Sequence, residues 1–326
     1  MSKDKDKPSP WAQARPRSDR RDGARPMPAR DDRSGRDDER ARAYIEGRDA
    51  ASRPRRAHPS PRTQAAEPEA VAATPKVPRE QRLYGLNACL AAFARRPEAL
   101  RKVYLTEARI PALKAVLAWC VKQRIGYRIV EVADLDKLTA SRHHEGVCFD
   151  LLPPTPLSLH ALLERQPRAP APSLLLWLDG VGNPHNLGAL LRSAAHFGVG
   201  GVIVSAQAGL DVSGAAARVA EGAAEVVPLV QADSSEALAA LHEHGYTLAA
   251  TVPRDGTPLY ATTLPPRLVL VFGAEGEGMS GPMIDAARLR LTIPGSGLIE
   301  SLNVAASVAV LLGEYWRSVK MRECPA

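Results

Sequence analysis

The sequence predicts an α/β protein whose main domain is a mostly parallel sheet, and three observations lead to this prediction. Apolar segments of strand length alternate with helical segments over 173–326, which is typical of a parallel sheet covered on both faces. A shorter alternation of the same kind over 79–152 predicts a small α/β domain. Residues 1–78 contain no Leu, Phe or Cys and 11 of the 28 prolines, so this segment is predicted to be a disordered tail.

The small domain is predicted from short elements. Helical spacing of apolar residues predicts helices from Leu83 to Phe93, from Ile110 to Gln123 and from Val132 to Thr139. Strands are predicted at three further apolar segments, 102–106, 127–132 and 147–152. A proline-rich segment, 153–172, follows and contains a short Leu-rich helix, so we interpret it as a semi-rigid linker.

The main domain is predicted to contain six strands, which alternate with helices. The strands are the apolar segments 174–178, 202–205, 226–230, 246–252, 268–272 and 289–293. The helices are 187–197, 213–223, 234–244 and 302–319. The last helix has apolar residues on one stripe, namely Val304, Val308, Leu311, Leu312 and Trp316.

Positive charge is concentrated near the N-terminus. The chain has 43 Lys and Arg against 36 Asp and Glu, a formal net charge of +7. Residues 1–78 hold 19 basic and 13 acidic side chains, whereas the other 248 residues hold 24 and 23. Such an Arg-rich tail either increases solubility or attracts nucleic-acid phosphate, and we favour the second role.

Length and composition exclude several classes of protein. A hydrophobic fraction of 45% over 326 residues is enough for packed cores, so a wholly disordered or fibrous chain is excluded. No apolar run approaches the ~18 residues of a membrane-spanning helix, and the N-terminus has no apolar signal-peptide core. The four cysteines are scattered, so we expect neither disulfides nor a zinc site. We therefore expect a reduced cytoplasmic protein without a metal or a membrane partner.

Gly-containing loops follow three of the predicted strands, at the edge of a parallel sheet where ligands bind. The first loop, 179–188, contains Asn186, which can cap the following helix. Arg192 lies one to two turns into that helix. From this pattern alone, a helix cap at Asn186 and a solvated Arg192 explain the residues as well as a binding site does.

The second and third loops also carry glycines and polar residues. The second loop, 272–279, has three glycines that allow close approach of a ligand to the backbone, but it is neither a P-loop nor a G-x-G-x-x-G motif. The third loop, 293–304, has Ser301 and Asn303 at the start of a helix, where capping is the alternative role. Three such loops along one sheet favour a shared site over three unrelated turns.

Together these loops resemble motifs 1, 2 and 3 of the SpoU (TrmH-like) branch of the SPOUT RNA methyltransferases. The matching residues are Asn186, Gly188 and Arg192 to Ala194; Phe272, Gly273, Glu275, Gly278 and Met279; and Ile293, Pro294 and Ser301 to Val304. The region 82–152, from Tyr84-Gly-x-Asn87 to His144-Glu-Gly-Val147, resembles the family's L30e-like RNA-binding domain. Glu145 stands where the family usually has Gln, and Gly295 where Met is common.

The resemblance implies a fold, a cofactor and a reaction. The fold is the SPOUT α/β knot, a mostly parallel sheet whose C-terminal trefoil knot binds S-adenosylmethionine. The expected reaction is methylation of a ribose 2′-hydroxyl in tRNA or rRNA. Members are homodimers that pack through this domain, and the apolar helix 302–319 suits such an interface.

The resemblance also implies roles for individual residues. The expected cofactor-binding residues are Gly273, Glu275, Gly278, Ile293, Leu302 and Asn303. The expected catalytic residues are Arg192, Asn186, Ser301 and Asn303, and the expected RNA-binding residues are Asn87, His144 and Arg192. Because a guanidinium has a pKa above ~12, we expect Arg192 to donate hydrogen bonds to a developing alkoxide or a phosphate rather than to act as a base. Arg192 acts either in its own site or in that of a partner subunit.

Two other functions stay open at this point. One is a non-catalytic RNA-binding or ribosome-assembly protein that keeps the fold, and the other is a methyltransferase that modifies a base instead of a ribose. A metal site at His143-His144-Glu145 is the least favoured reading, because adjacent histidines on a loop more often contact RNA or pack.

Overall fold

Two separate β-sheets organise the computed structural model, which describes residues 80–206 and 210–320. The predicted disordered tail, 1–78, lies outside the described residues. Among the helices that are described, none is long and apolar enough to cross a membrane.

The first sheet has four strands in the order β1-β4-β2-β3. They are β1 (Gln81–Tyr84), β2 (Leu100–Leu105), β3 (Gly126–Ile129) and β4 (Val147–Leu151). Strand β4 is antiparallel to both of its neighbours, and β3 runs parallel to β2. The helices of this domain are α1 (Leu86–Arg95), α2 (Lys114–Gln123) and α3 (Val132–Thr139). Helices α1 and α2 contribute to the core on one face of the sheet, and α3 covers the other face.

The helix that was predicted from Leu83 to Phe93 begins three residues later in the structure, at Leu86. Leu83 and Tyr84 belong to β1, where they pair with Phe149 and Cys148. The chain turns at Gly85, which has a φ of 93°, and α1 begins after it. Because a two-residue apolar strand end continues the spacing of the helix, periodicity alone could not separate the two elements.

The second sheet has seven strands in the order β7-β6-β5-β10-β8-β11-β9, and all its pairings are parallel. The strands are β5 (Ser173–Asp179), β6 (Gly201–Ser205), β7 (Leu229–Ala232), β8 (Thr247–Thr251), β9 (Thr257–Pro258), β10 (Arg267–Gly273) and β11 (Leu289–Thr292). The prediction of a mostly parallel α/β sheet is confirmed. Strand β9 was not predicted, and β7 begins at Leu229 instead of Val226 because a 3-10 turn, Ala223–Glu225, precedes it.

Helices cover both faces of this sheet. They are α4 (Leu159–Glu164), α5 (Pro184–His196), α6 (Gly214–Ala220), α7 (Ser234–Glu243), α8 (Gly281–Ala286) and α9 (Val304–Tyr315). On β5, Leu174, Leu176 and Leu178 pack with α5, α6 and α9, whereas Leu175 and Trp177 pack with α4, α7 and α8. Burial on both faces explains why the strand sequences are continuous apolar runs.

The proline-rich segment 153–172 is attached to the main sheet. Its helix α4 buries three leucines in the core shared with α7 and α8. The buried Arg267 on β10 donates a hydrogen bond of 2.6 Å from Nη1 to the carbonyl oxygen of Pro167. The segment that we interpreted as a linker therefore contributes to the packing of the main domain.

Helix α6 is shared by the two domains. It contacts α5 on the side of the main domain and β1 on the side of the small domain. A Cβ atom on Gly214 would lie 2.7 Å from the carbonyl oxygen of Arg82 and equally close to the Tyr84 ring, so only glycine permits this approach. Ala217 of α6 is buried in the core of the small domain. This helix therefore joins the two cores.

The apolar stripe of the last helix packs inside the molecule. Val304, Val308, Leu311 and Leu312 of α9 are buried in the core of the main domain. Trp316, in the π-helical turn that follows, is 41% exposed. Four of the five residues of the stripe are therefore packed within one chain, and a role of this helix in a dimer interface stays a prediction.

Candidate active site

Polar side chains from three loops meet at the carboxyl edge of the main sheet. The loop after β5 leads into α5, the loop after β10 contains Glu275, and the loop after β11 ends at Asn303. Asn186, in the first turn of α5, donates a hydrogen bond of 3.0 Å from Nδ2 to Glu275 Oε1. Asn303 Nδ2 donates to Asn186 Oδ1 at 3.0 Å and to Glu275 Oε1 at 3.3 Å. The structure therefore brings together one residue from each sequence motif.

The N-terminus of α9 fixes the orientation of these amides. Asn303 caps α9, and its Oδ1 accepts hydrogen bonds from the backbone N–H groups of Ala305 and Ala306. The Nδ2 group of Asn303 must then face the cluster, so Asn186 presents Oδ1 to it and Nδ2 to Glu275. Asn303 therefore caps α9 through Oδ1 and belongs to the site through Nδ2, so the two roles that we expected to be alternatives are both fulfilled by one side chain.

A cavity of about 310 Å³ lies beside the cluster. It is lined by residues 180–183, Asn186, Ala274, Glu275 and Glu277. Of the predicted cofactor-binding residues, Glu275 is the one that lines this cavity. Loop 180–183 was part of the first predicted segment, but we did not single out its residues as lining a site.

The backbone of residues 278 and 279 lies so close to Gly273 that it leaves no room for a side chain at this position. A Cβ atom at this position would lie 2.3 Å from the carbonyl carbon of Gly278 and 2.4 Å from the nitrogen of Met279. The chain folds back here because Ala274 and Gly278 exchange two backbone hydrogen bonds of 2.8 and 2.9 Å. The close approach explains why glycine occupies this position, independently of any cofactor.

Gly273→Ala is expected to open this loop and to lower the free energy of unfolding by about 1–3 kcal/mol, because the added methyl group must displace backbone atoms. Thermal unfolding and methyl transfer measure the two effects. Gly281→Ala is the matched control, since nothing lies within 4 Å of a Cβ built there. Equal stability of the two variants would contradict this prediction.

Asp179 links the first two loops, and sequence reasoning did not single it out. It is the last residue of β5, and its Oδ2 accepts a hydrogen bond of 2.6 Å from the backbone N–H of Ser280. The carboxylate thereby holds the end of the glycine loop against the neighbouring strand. An acidic residue at the end of an apolar strand was the signal that could have identified it.

The cap of α5 is Asn183, which corrects the role that we expected for Asn186. The side chain of Asn183 accepts a hydrogen bond of 2.9 Å from the N–H of His185, and Pro184 occupies the first helical position. An Asn-Pro pair at a helix start was visible in the sequence. Asn186 is instead 9% exposed, and its side chain belongs to the three-loop cluster.

Arg192 lies apart from the cluster. It is six residues beyond Asn186, which places it about 9 Å further along the helix axis and about 120° around it. Its Nη1 is 2.9 Å from Glu221 Oε1, and the two side chains are 60% and 43% exposed. The structure therefore does not bring Arg192 to the cavity of its own chain.

The other residues of the third motif that we expected in the site, Ile293, Ser301 and Leu302, are exposed or half-buried. Ser301 and Leu302 are exposed, and Ile293 is half-buried beside the core of the main domain. Leu298 and Ile299 in the same loop are 89% and 71% exposed. The loop thus presents an apolar surface next to Asn303.

The two predicted RNA-binding residues of the small domain lie in different environments. Asn87 is exposed in the first turn of α1. His144 is only 3% exposed, its Nδ1 accepts from the N–H of Gly146 and its Nε2 is 3.1 Å from Asp136 Oδ1. With Nδ1 accepting, the ring proton is on Nε2 and is donated to Asp136. This buried ring holds the loop before β4, which corrects the expectation of a direct RNA contact.

The described cysteines are poor nucleophiles. Burial raises the pKa of the Cys89 and Cys120 thiols, and burial together with the nearby Asp150 raises the pKa of Cys148 to about 12. Among the described residues no group of three or more His, Cys, Asp or Glu is arranged to bind a metal ion. The chemistry of the described site rests on amides, carboxylates and backbone groups.

Comparisons with known proteins agree with this architecture. The model of the SpoU rRNA Methylase family matches residues 173–313, and a model for RNA 2′-O ribose methyltransferase substrate binding matches residues 82–157. The Uncharacterized tRNA/rRNA methyltransferase YfiF of Escherichia coli is 40% identical over 74% of this chain and 69% of its own length.

Two further relatives cover most of their own length. The 23S rRNA (guanosine-2′-O-)-methyltransferase RlmB of Pseudomonas putida is 32% identical over 74% of this chain and 98% of its own. A solved RNA 2′-O ribose methyltransferase is 28% identical with a TM-score of 0.61, and it covers 74% of this chain and 89% of that chain. The chain therefore belongs to the SpoU family of RNA methyltransferases and carries the substrate-binding domain of such enzymes before its catalytic domain.

Proposed function

We propose that this protein transfers the methyl group of S-adenosylmethionine to the 2′-hydroxyl of a ribose in rRNA or tRNA. The observation that carries the proposal is the cluster of Asn186, Glu275 and Asn303 beside the cavity. The name of the RlmB relative, which methylates guanosine at the 2′-oxygen in 23S rRNA, supports ribose as the target. The match to a ribose methyltransferase substrate-binding model supports it independently.

The loops around the cluster fit S-adenosylmethionine. Nothing lies within 4 Å of a Cβ built on Gly276, Gly278 or Gly297, so a ligand has room beside their backbone. Leu302 is 45% exposed and is available to cover an apolar part of the cofactor. When bound, S-adenosylmethionine supplies an electrophilic methyl group on a sulfonium centre.

The residues of this chain would then align the attacking oxygen. An in-line displacement depends mainly on the geometry of the reacting atoms, so rigid positioning is the main contribution of the protein. Glu275 is held through Oε1 by two amide donors. Its Oε2 has no hydrogen bond within the described residues, and it can accept one from a ribose hydroxyl.

We also propose that the protein acts as a homodimer in the cytoplasm, with Arg192 in the site of the partner subunit. An exposed ion pair contributes at most about 1 kcal/mol, so Arg192 can exchange Glu221 for a substrate phosphate at little cost. Leu298, Ile299 and Trp316 are exposed apolar side chains that a partner subunit could cover.

Arg192→Lys is expected to lose most methyl transfer while it binds S-adenosylmethionine normally. Lysine keeps the charge but lacks the planar, forked donor geometry of the guanidinium. Calorimetric titration with the cofactor and a methyl-transfer assay measure the two properties. Turnover at the wild-type rate would contradict the role of Arg192.

The proposed reaction is tested with the full chain, radiolabelled S-adenosylmethionine, and tRNA and rRNA from a strain that lacks the gene. We expect labelled nucleotides whose 3′ linkages resist alkali, because a methylated 2′-oxygen cannot attack the adjacent phosphate. Label in alkali-sensitive nucleotides would indicate base methylation instead. RNA binding without cofactor binding would favour a non-catalytic RNA-binding protein.

A further inference from the structure

Charge is divided unequally between the two domains. Residues 80–152 contain 12 Lys and Arg against 8 Asp and Glu, whereas residues 173–320 contain 8 against 13. The small domain is therefore positive and the catalytic domain negative. A polyanion such as RNA is attracted to the first and repelled by the second.

The positive charge of the small domain is concentrated in residues 100–130. This segment holds seven basic side chains and one acidic side chain, Glu107. The basic residues are Arg101, Lys102, Arg109, Lys114, Lys122, Arg124 and Arg128. Within the part of the chain that the structure describes, none of the seven forms a salt bridge. By contrast, Arg192, Arg218, Arg254 and Arg317 of the catalytic domain each pair with a carboxylate.

Strand β3 lies at the edge of the small sheet and within this basic segment. All four of its residues are exposed. Tyr127 and Ile129, at 44% and 56% exposure, stand beside the buried Val103 and Leu105 of β2 and therefore share one face of the strand. Arg128 projects to the opposite face. An aromatic and an aliphatic side chain are thus exposed on one face, with a cation on the other.

We propose that the edge of β3, together with Lys122 and Arg124, is the surface on which an unpaired stretch of the RNA substrate docks. The proposal rests on the RNA methyltransferase function and deepens it. A base stacks on the exposed ring of Tyr127, and the basic side chains contact the phosphates. Stacking of this kind requires a base that is free of its helix, so the expected ligand is single-stranded.

Charge argues against the other occupants of this surface. A second copy of the chain would oppose two identical basic segments, which repel each other. The tail 1–78 has 19 basic and 13 acidic side chains, so it carries the same sign of charge. RNA combines the opposite charge with flat bases whose faces stack on aromatic side chains, and it therefore fits both properties of the surface.

The test uses the full chain, a labelled single-stranded RNA of twelve nucleotides of mixed sequence, and the same sequence as a duplex. Tyr127→Ala is expected to weaken binding of the single strand about five- to hundred-fold, whereas Tyr127→Phe keeps the stacking and binds like wild type. Arg124→Gln with Arg128→Gln is expected to reduce the slope of log affinity against log salt by about 1 to 2. Both sites are exposed, and circular dichroism checks that the variants fold.

Matched controls remove equivalent groups elsewhere. Tyr260→Ala removes a tyrosine that is 60% exposed in the catalytic domain, and Arg165→Gln with Arg168→Gln removes two exposed charges outside β3. Neither control should change affinity for the single strand. The proposal is overturned if Tyr127→Ala binds as tightly as wild type, if the wild-type chain binds no RNA, or if Tyr127→Ala changes only the oligomeric state. Wild-type binding at β3 without any methyl transfer would instead contradict the proposed function alone.

Discussion

Asn186→Asp is expected to lower methyl transfer about a hundred-fold or more, although the two side chains have the same shape. The substitution replaces the Nδ2 donor by a carboxylate oxygen at the 3.0 Å position opposite Glu275 Oε1. Two carboxylates at this distance cannot both be ionised, so the pair must take up a proton or move apart. Either response disturbs the cluster that links the three loops.

The double variant Asn186→Asp with Glu275→Gln tests whether the loss of activity comes from placing two hydrogen-bond acceptors opposite each other. The glutamine Nε2 can take the position of Glu275 Oε1 and donate to the new carboxylate, whose other oxygen still accepts from Asn303. The contact of Asn303 with residue 275 is then lost, so activity should recover in part relative to the single variant. The single variant should also recover partly at low pH, because the shared site raises the pKa of one carboxyl and the protonated form can donate again. Wild-type activity in the single variant, or none of this recovery, would contradict the arrangement.

Arg96→Ala is expected to lower the free energy of unfolding by about 2–4 kcal/mol, because it leaves a largely buried carboxylate without its counter-charge. Arg96 at the end of α1 forms two hydrogen bonds of 2.8 Å with Glu225 in the catalytic domain, and the side chains are only 13% and 12% exposed. Its Nη1 also donates to the carbonyl oxygen of Leu152. Denaturant unfolding measures the loss, and limited proteolysis should show that the small domain is released.

Two variants control this result. Arg95→Ala removes an exposed arginine one residue earlier and should change stability by no more than about 0.5 kcal/mol. Arg96→Met with Glu225→Met removes both charges and should be more stable than Arg96→Ala, because no uncompensated charge stays buried. If Arg96→Ala and Arg95→Ala are equally stable, the ion pair does not hold the two domains together.

Local patterns predicted most elements of the fold. Strands β5, β6 and β10 were found within one residue at each end, because strands buried on both faces give continuous apolar runs. Val132–Thr139 was predicted with its observed bounds. Strand β1 was not found, because it is short and its identity depends on pairing with β4, whose partner residues lie 64 to 70 positions away in the chain.

The sequence predicted which loops form the site, but it did not predict which side chains within those loops contact each other. The glycine-containing loops after β5, β10 and β11 were recognised from sequence, and Asn186, Glu275 and Asn303 were among the predicted residues. The Asn183-Pro184 pair was a signal for the cap of α5, but sequence could not tell that Asn186 is buried in the cluster, because its partners come from two distant loops. Nor could it tell that His144 is buried, because its partner Asp136 comes from α3.

The sequence by itself determined the fold class, the family, and the loops that carry the site, because each depends on periodicity or on short motifs of neighbouring residues. The tertiary structure decided which of those residues touch. The hydrogen bonds among Asn186, Glu275 and Asn303 span 28 to 117 positions of the chain. The pairing of Arg192 with Glu221 and the shared packing of α6 are likewise contacts between distant segments. Such contacts form only when the sheet order brings the segments together, and no local pattern of residues encodes that order.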